Sequence, residues 1–203
     1  MKQATERTNI TQKLPQFRSE ALIAAGANLA STQSELVATI KIAIEKLTDA
    51  GVVIRAVSHF YKTPAFPAGA GPDYINAAFV ARTDWPATQL LDVLHKIEAQ
   101  MGRKRVQRWG QRSLDLDLIA MDDQIRPDLA TYRAWLDLPL QRQMQEAPDQ
   151  LILPHPRMHE RAFVLIPLAD VAPDWRHPVR GETVVQMRDA LPEALRREVH
   201  KLQ

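Results

Sequence analysis

Apolar residues recur along the chain in patterns that predict four strands. A small-residue apolar run covers residues 21–25, and a stretch rich in β-branched residues covers 52–61. Residues 75–82 are apolar throughout most of their length, and we expect them to pair antiparallel with the 52–61 strand. Between residues 113 and 121, three leucines alternate with two aspartates, which predicts a strand with one apolar and one acidic face.

Two helices are predicted between these strands. Thr32 and Glu35 have the spacing of a capping box ahead of apolar residues at helical intervals, and Gly51 ends that helix. A second helix opens after Asp84 with apolar residues at helical spacing and ends at Gly102. The order β-α-β-β-α-β predicts an α/β (α+β) fold with a ferredoxin-like core, here a three-layer α/β/α sandwich.

The other segments are expected to extend that core. Residues 1–20 are polar and aperiodic and are predicted to be a flexible tail, with residues 21–203 forming a single domain. Residues 123–149 are interpreted as an insertion, helical over 128–146. Beyond it we expect an apolar helix within 154–173 and a last amphipathic helix near the C-terminus.

Composition narrows the classes of protein. The 203 residues are 45% hydrophobic and 25% charged, which is unlike a disordered protein. The net charge of +2 gives no global polyanion-binding signature, so any basic function must be local. Cysteine is absent, which excludes disulfides and thiolate metal sites. The apolar stretch at 21–30 is too short to span a bilayer, so we expect a cytoplasmic protein with no membrane partner.

The candidate chemistry lies in RKRVQRWGQRSLDLDLI, residues 103–119. Asp115 and Asp117 are two apart on a strand, so their side chains share a face and lie roughly 6.6 Å apart. Two such carboxylates can bind a pair of metal ions about 3.5–4 Å apart, as in phosphoryl-transfer sites. Oxygen ligands without His or Cys favour Mg²⁺ or Mn²⁺.

A basic loop, residues 103–112, precedes the aspartates; Gly102 lies just before it and Gly110 within it. Arginine side chains bind phosphate oxygens and offset charge that develops during phosphoryl transfer, and flanking glycines let a loop close over a nucleotide. The pattern therefore suggests an enzyme that uses a magnesium–nucleotide complex. The basic residues are Arg103, Lys104, Arg105, Arg108 and Arg112.

Other interpretations remain open from the residues alone. Alternating aspartates are often only a solvated face, and the basic loop with Trp109 could belong to a ferredoxin-like nucleic-acid-binding module. A non-catalytic relative that binds nucleotide or a partner is a third possibility. The sequence has no P-loop, GxGxxG or HExxH motif, and Pro156 between His155 and His159 argues against a zinc site.

Four blocks of the sequence stand out: AAGANLAS (24–31), SHFYKTPAF with GPDYINAA (58–66 and 71–78), IEAQMGRKRVQRWGQRSLDLDLI (97–119) and LPHPRMHERAFVLIPLADVAP (153–173). They resemble the 6-hydroxymethyl-7,8-dihydropterin pyrophosphokinases of folate biosynthesis. They occur in that family's order and together cover roughly residues 21 to 175. The third block is the most specific, because loop, tryptophan and aspartates occur in a fixed order.

The resemblance implies a reaction and a set of nucleotide-binding residues. The β,γ-pyrophosphoryl group of ATP would pass to the hydroxymethyl group of the dihydropterin, with release of AMP. Asp115 and Asp117 would coordinate two Mg²⁺ ions, and Arg103 and Arg112 would act nearest the chemistry. Further nucleotide contacts would come from Glu98, Arg105, Arg108, His155 and Arg161.

The resemblance also implies a pterin pocket. Tyr74 and Phe163 would sandwich the ring, and Asn76 would hydrogen-bond its edge. Thr63, Pro64 and Phe66 would line the pocket, with Trp109 closing over it. Gln111 stands where the family's WGPR motif has proline, so closure of the loop is expected to differ. We expect a monomer whose partners are small molecules, not nucleic acid.

Overall fold

A mixed α/β architecture is seen in a computed structural model that describes residues 19–65, 71–102, 113–139, 142 and 145–203. In these residues six strands form one sheet, in which every named pairing is antiparallel. The order is β5–β1–β4–β3–β6, and β2 also pairs with β4. The strands are β1 (Ser19–Ala27), β2 (Val53–Val57), β3 (Tyr61–Thr63), β4 (Tyr74–Thr83), β5 (Asp115–Met121) and β6 (His200–Lys201).

The helices begin and end close to the predicted signals. Thr32 accepts a hydrogen bond from the backbone of Glu35 (3.3 Å), and the Glu35 side chain accepts from the backbone of Thr32 (3.1 Å), so the capping box is confirmed. The helices are α1 (Gln33–Asp49), α2 (Ala87–Gln100), α3 (Leu129–Leu136), α4 (Ala162–Val171), α5 (Val184–Ala190) and α6 (Glu193–Arg197), with a 3₁₀ turn at Met158–Glu160.

Helices cover both faces of the sheet, which confirms the three-layer sandwich. On the first face Ile23 and Phe79 are fully buried in a core shared with α1 and α2. On the second face Leu22 and Ile119 belong to a separate buried cluster with Leu165 of α4. Successive residues of a strand point to opposite faces, so the same strands contribute to both cores.

The second predicted strand is divided in two. Residues 52–61 do not form one strand, because Ser58 interrupts the pairing with β4 between β2 and β3. The Ser58 hydroxyl accepts from the backbone N–H of Ala78 (2.9 Å) and donates to the carbonyl of His59 (2.6 Å). A side chain thus replaces part of the strand ladder at this point.

Three other boundaries differ from the predictions. β1 begins at Ser19, so Ser19 and Glu20 pair with β4 and are not part of a tail; residues 1–18 lie outside the described residues. The predicted C-terminal helix is divided into α5 and α6, because Pro192 interrupts the helical hydrogen bonding. In the insertion, α3 ends at Leu136, shortly before Pro139.

No helix in the described ranges is long and apolar enough to cross a bilayer.

Candidate active site

A cavity of about 250 Å³ lies on the second face of the sheet, where β5 begins. It is bounded by β1, β3, β4 and β5 on one side and, on the other, by the first turn of α4 and the segment before it. Most of the residues predicted to carry function are brought together here. The lining residues are Ala24, Ala25, Gly26, Thr63, Pro64, Tyr74, Asn76, Asp115, Asp117, His155, Arg161, Phe163 and Val164.

The paired carboxylates enter the cavity through the alternation of β5. Leu114, Leu116 and Leu118 are buried in the core under α1 and α2, so the side chains of Asp115 and Asp117 point to the opposite face. Both aspartates are half-buried. Their neighbours on β1 are small, since Asp117 pairs with Ala24 and Asp115 with Gly26, and this leaves space in front of the carboxylates.

Glu98 supports β5 from the opposite face. This buried residue of α2 accepts a hydrogen bond at Oε1 from the backbone N–H of Leu116 (2.8 Å), the residue between the two aspartates. It does not line the cavity. The geometry therefore indicates that Glu98 holds the strand in place, and its predicted contact with nucleotide stays a prediction.

His155 and Arg161 form the basic side of the cavity. The backbone N–H of Arg157 donates to Nδ1 of His155 (3.1 Å), and Arg161 Nη1 lies 3.4 Å from Nε2 of the same ring. Burial, together with the charges of Arg161 and Arg157, lowers the pKa of His155 to about 3, so the imidazole is neutral at neutral pH. A neutral ring that accepts at Nδ1 carries its proton on Nε2, and because arginine can only donate, the longer contact with Arg161 Nη1 is then one between two donors and not a hydrogen bond.

Arg161 supplies the positive charge opposite the aspartates. Burial lowers the pKa of its guanidinium, and the carboxylates of Asp117 and Asp115 oppose that shift. Arginine nevertheless remains charged in proteins. Its guanidinium also lies 5.7 Å from the centre of the Phe163 ring, within the range of a cation–π contact. This one cation therefore adjoins both the acidic and the aromatic parts of the cavity.

The other end of the cavity is suited to a flat polar ligand. The Asn76 side-chain amide donates to the Thr63 hydroxyl (2.7 Å), which orients its carbonyl oxygen toward Gly26. A Cβ atom at position 26 would lie only 2.9 Å from that oxygen, so only glycine leaves Asn76 where it is. Tyr74 and Phe163 add aromatic surface to the same cavity, which suits a heteroaromatic ring with amide-like edges.

The predicted residues fall into three groups. Asp115, Asp117, His155, Arg161, Thr63, Pro64, Tyr74, Asn76 and Phe163 line the cavity, and Glu98 lies behind it. The other predicted residues, and Gln111, lie outside the described residues. These predicted residues are Phe66, Arg103, Arg105, Arg108, Trp109 and Arg112.

Four cavity residues were not predicted from the sequence: Ala24, Ala25, Gly26 and Val164. Gly26 lies just beyond the apolar run at 21–25 that predicts the first strand, but in the structure it lies inside β1. A glycine within a strand often marks a close approach of backbone to another group, and that signal could have identified it.

A larger hollow of about 350 Å³ lies elsewhere, between the 3₁₀ turn and the C-terminal helices. None of the predicted site residues lines it. Its charged groups are already paired, Arg180 with Glu182 (2.7 Å) and Glu160 with Arg157 (3.0 Å). The smaller cavity is therefore the better candidate for an active site.

Comparison with known families decides the assignment. The model of the family 7,8-dihydro-6-hydroxymethylpterin-pyrophosphokinase (HPPK) matches residues 22–173. The chain belongs to this family. That membership confirms the resemblance found in the sequence and gives no support to the nucleic-acid-binding alternative.

Individual HPPK relatives agree with the family match. A 2-amino-4-hydroxy-6-hydroxymethyldihydropteridine pyrophosphokinase from Synechocystis is 35% identical over 173 residues, which cover 85% of this chain and 76% of the relative. The protein of the same name from Haemophilus influenzae is 34% identical, over 83% of this chain and 93% of the relative.

Solved structures support the fold. The Plasmodium falciparum HPPK-DHPS triple mutant S436F/A437G/A613S, crystallised with SDX-DHP, matches 84% of this chain with a TM-score of 0.59. The match spans 44% of that longer chain at 15% identity. It therefore confirms the ferredoxin-like core and says nothing about individual site residues.

Proposed function

We propose that this protein transfers the β,γ-diphosphoryl group of ATP to 6-hydroxymethyl-7,8-dihydropterin within the cavity on β5, a step in tetrahydrofolate biosynthesis. The hydroxymethyl oxygen forms a bond to the β-phosphorus, the bond from that phosphorus to the α,β-bridging oxygen breaks, and AMP and a proton are released. One observation carries the proposal: the paired aspartates, Arg161 with His155, and the Thr63–Asn76 pair line the same cavity. Family membership makes the protein an ATP-dependent pyrophosphokinase.

We propose that Asp115 and Asp117 bind two Mg²⁺ ions. Their oxygen donors fit Mg²⁺. In the described part of the chain no third His, Cys, Asp or Glu joins them in a metal-binding group, so the protein would supply only these two carboxylates. The remaining ligands would be phosphate oxygens and water, which Mg²⁺ commonly retains. When bound, the ions would neutralise charge on the transferred phosphates.

The basic pair would bind the phosphate chain. Arg161 and the Nε2–H of neutral His155 present two donors to the same part of the cavity, and an anionic phosphate oxygen can accept from both. Arg103, Arg105, Arg108 and Arg112 are proposed to add contacts from the loop, as the family resemblance implies. Catalysis would then rest on positioning and charge neutralisation.

The amide and aromatic residues would bind the dihydropterin. Asn76 is oriented by Thr63, and its carbonyl oxygen and second N–H would bind complementary atoms on the edge of the ring. Tyr74 and Phe163 would pack on the ring faces, with Pro64 beside them. Phe66 and Trp109 are proposed to complete this pocket.

We also propose that residues 21–203 form one domain. Val184, Met187 and Leu191 in the C-terminal region belong to the same buried cluster as Leu22 of β1, which supports a single core. A monomeric state and a cytoplasmic location stay predictions.

The decisive experiment is a product assay. Purified protein is incubated with ATP, Mg²⁺ and 6-hydroxymethyl-7,8-dihydropterin, and the nucleotides are separated by chromatography. We expect AMP and the dihydropterin diphosphate in equal amounts, with neither formed when the pterin is omitted. Release of ADP, or AMP formation without pterin, would refute the proposed reaction.

A further inference from the structure

The insertion (residues 123–149) contacts the basic side of the active site through Arg157. Nη1 of Arg157 donates to the carbonyl oxygens of Leu136 (3.1 Å) and Leu138 (3.5 Å), at and just beyond the C-terminal end of α3. Carbonyls at the end of a helix lack helical partners and favour a nearby cation. The Arg157 side chain is only 14% exposed, and its Nη2 lies 3.0 Å from Glu160.

The insertion is itself anchored on the C-terminal layer. The fully buried Tyr132 of α3 has its hydroxyl 2.9 Å from Nε2 of His177, which is also fully buried. Nδ1 of His177 accepts from the backbone N–H groups of Val179 (3.2 Å) and Arg180 (3.3 Å). Its proton is therefore on Nε2 and is donated to Tyr132, which holds α3 in one position.

The start of the insertion is also joined to the chain just after the insertion. Arg126 and Leu153 exchange two backbone hydrogen bonds of 2.9 and 3.2 Å. The chain then passes directly to His155, whose N–H donates to the carbonyl of Ile119 in β5 (2.7 Å). The bridge between Arg126 and Leu153 thus lies two residues before His155, where the turn that carries the basic side of the cavity begins.

Arg157 connects this anchored insertion to His155. The same residue that caps α3 with its side chain donates its backbone N–H to Nδ1 of His155 (3.1 Å). That bond requires the tautomer with the proton on Nε2. Arg161 Nη1, 3.4 Å from Nε2, is then a second donor beside the first, and an anion between them can accept from both. If the turn shifted, the other tautomer would present a lone pair at Nε2, and a phosphate oxygen would lose one of its two donors.

We propose that Arg157 is a positioning residue, and that the insertion, held by Tyr132 and His177, acts through it to keep His155 in the tautomer that binds phosphate. The role rests on the proposed function, since it assigns ATP phosphates to the basic side of the cavity. It gives the insertion a specific role in nucleotide binding.

The test compares Arg157→Met with two further variants in the full-length protein. Methionine keeps much of the side-chain length but removes every donor, so we expect the KM for ATP to rise about tenfold, as for loss of a hydrogen bond to a charged group. The KM for dihydropterin should change less than twofold. Arg157→Lys keeps one donor group, so its rise in the KM for ATP should be smaller than that of Arg157→Met. If Arg157→Met fails to fold, this smaller rise in Arg157→Lys is the test.

Glu160→Gln is the matched control. It removes the ion-pair partner of Arg157 but leaves both carbonyl acceptors of α3, so the KM for ATP should stay within twofold of wild type. Tyr132→Phe removes the anchor to His177 without touching the cavity, and a rise of a few fold in the same KM is expected.

A spectroscopic readout separates this inference from the proposed function. The ¹⁵N shifts of the His155 ring in wild-type protein should indicate a protonated Nε2 and a bare Nδ1, with a mixture of tautomers in Arg157→Met. This measurement needs no turnover, so it stands even if the product assay fails. Unchanged tautomers in Arg157→Met, or equal rises in both KM values, would overturn the proposal.

Discussion

The two faces of the central sheet are built from the same strands but differ in what they bury. On the first face Ile23, Phe79 and Leu116 pack against α1 and α2 in an apolar core. On the second face apolar residues at one end pack under α4, whereas the other end carries Asp115, Gly26 and Asn76 around a cavity. Adjacent strands pair Asp115 with Gly26 and Gly26 with Asn76, so these three residues lie in one row across the sheet.

Neighbouring residues of one strand therefore have different roles, since those on the first face stabilise the fold and those on the cavity side of the second face carry the proposed chemistry. A residue of the first face is surrounded by apolar atoms, so its loss should lower the free energy of unfolding. A residue of the row formed by Asp115, Gly26 and Asn76 faces the cavity that we propose binds substrate. Its replacement should therefore lower activity more than stability. Glu98 and Arg157 are exceptions that connect the two roles. Glu98 holds β5 at Leu116, between the two aspartates of the cavity, and Arg157 donates to His155 inside the cavity.

The largest effect is expected on the cavity side of β5. Asp117→Asn retains the shape of the side chain but removes the charge that we propose binds Mg²⁺, and kcat should fall by about a thousandfold or more. The thermal unfolding midpoint should change little. Asp123→Asn, at an exposed position after β5, is the control and should keep wild-type kcat. A kcat within tenfold of wild type for Asp117→Asn would contradict the metal role.

The opposite outcome is expected on the first face of β1. Ile23→Ala creates a cavity in the buried core, and the free energy of unfolding should fall by about 2–5 kcal/mol. Urea titration followed by tryptophan fluorescence measures this loss. The kcat of the remaining folded protein should stay within about threefold of wild type. A large loss of kcat in fully folded protein would mean that the two faces do not divide the roles.

Acid should weaken the layer that covers the second face. Burial, with the charge of Arg180, lowers the pKa of His177 to about 4, below about 6.5 in an unfolded chain. Between pH 6.5 and 4 the unfolded chain therefore binds more protons, so stability falls as the pH falls through this window. The free energy of unfolding that depends on His177 should fall by about 3 kcal/mol once the pH is below 4.

This pH dependence can be assigned by comparing two histidines. Urea unfolding of His177→Gln should show a shallower dependence on pH between 6.5 and 4 than wild type. The exposed His200 provides the control, since His200→Gln should keep the wild-type slope. Equal slopes in wild type and His177→Gln would show that another group is responsible.

The smallest effect is expected at the row of residues that lines the pterin side. Gly26→Ala places a Cβ 2.9 Å from Asn76 Oδ1, so the amide must rotate away from its hydrogen bond with Thr63. The KM for dihydropterin should rise about tenfold, the cost of roughly one hydrogen bond. The KM for ATP and the unfolding free energy serve as internal controls and should change little. An unchanged KM for dihydropterin would remove Asn76 from the proposed binding site.

Much of the fold could be predicted because local patterns carry it. The Thr32–Glu35 capping box and the alternation of leucine with aspartate in β5 depend on residues only a few positions apart. The break at Ser58 could not be predicted this way, since it depends on the backbone of Ala78 on another strand. The break at Pro192 differs, since a proline within a helical pattern is a local signal that could have predicted the division into α5 and α6.

The sequence by itself determined the chemistry of the protein: two carboxylates on one strand face, a basic loop before them, and four blocks that assign the family. Only the tertiary structure decided how these residues meet. It places Gly26 between Asp115 and Asn76, puts Glu98 behind the site, and joins the insertion to His155 through Arg157. Such contacts connect residues far apart in the chain, and their geometry depends on strand register and on the packing of layers. No local pattern encodes either of these.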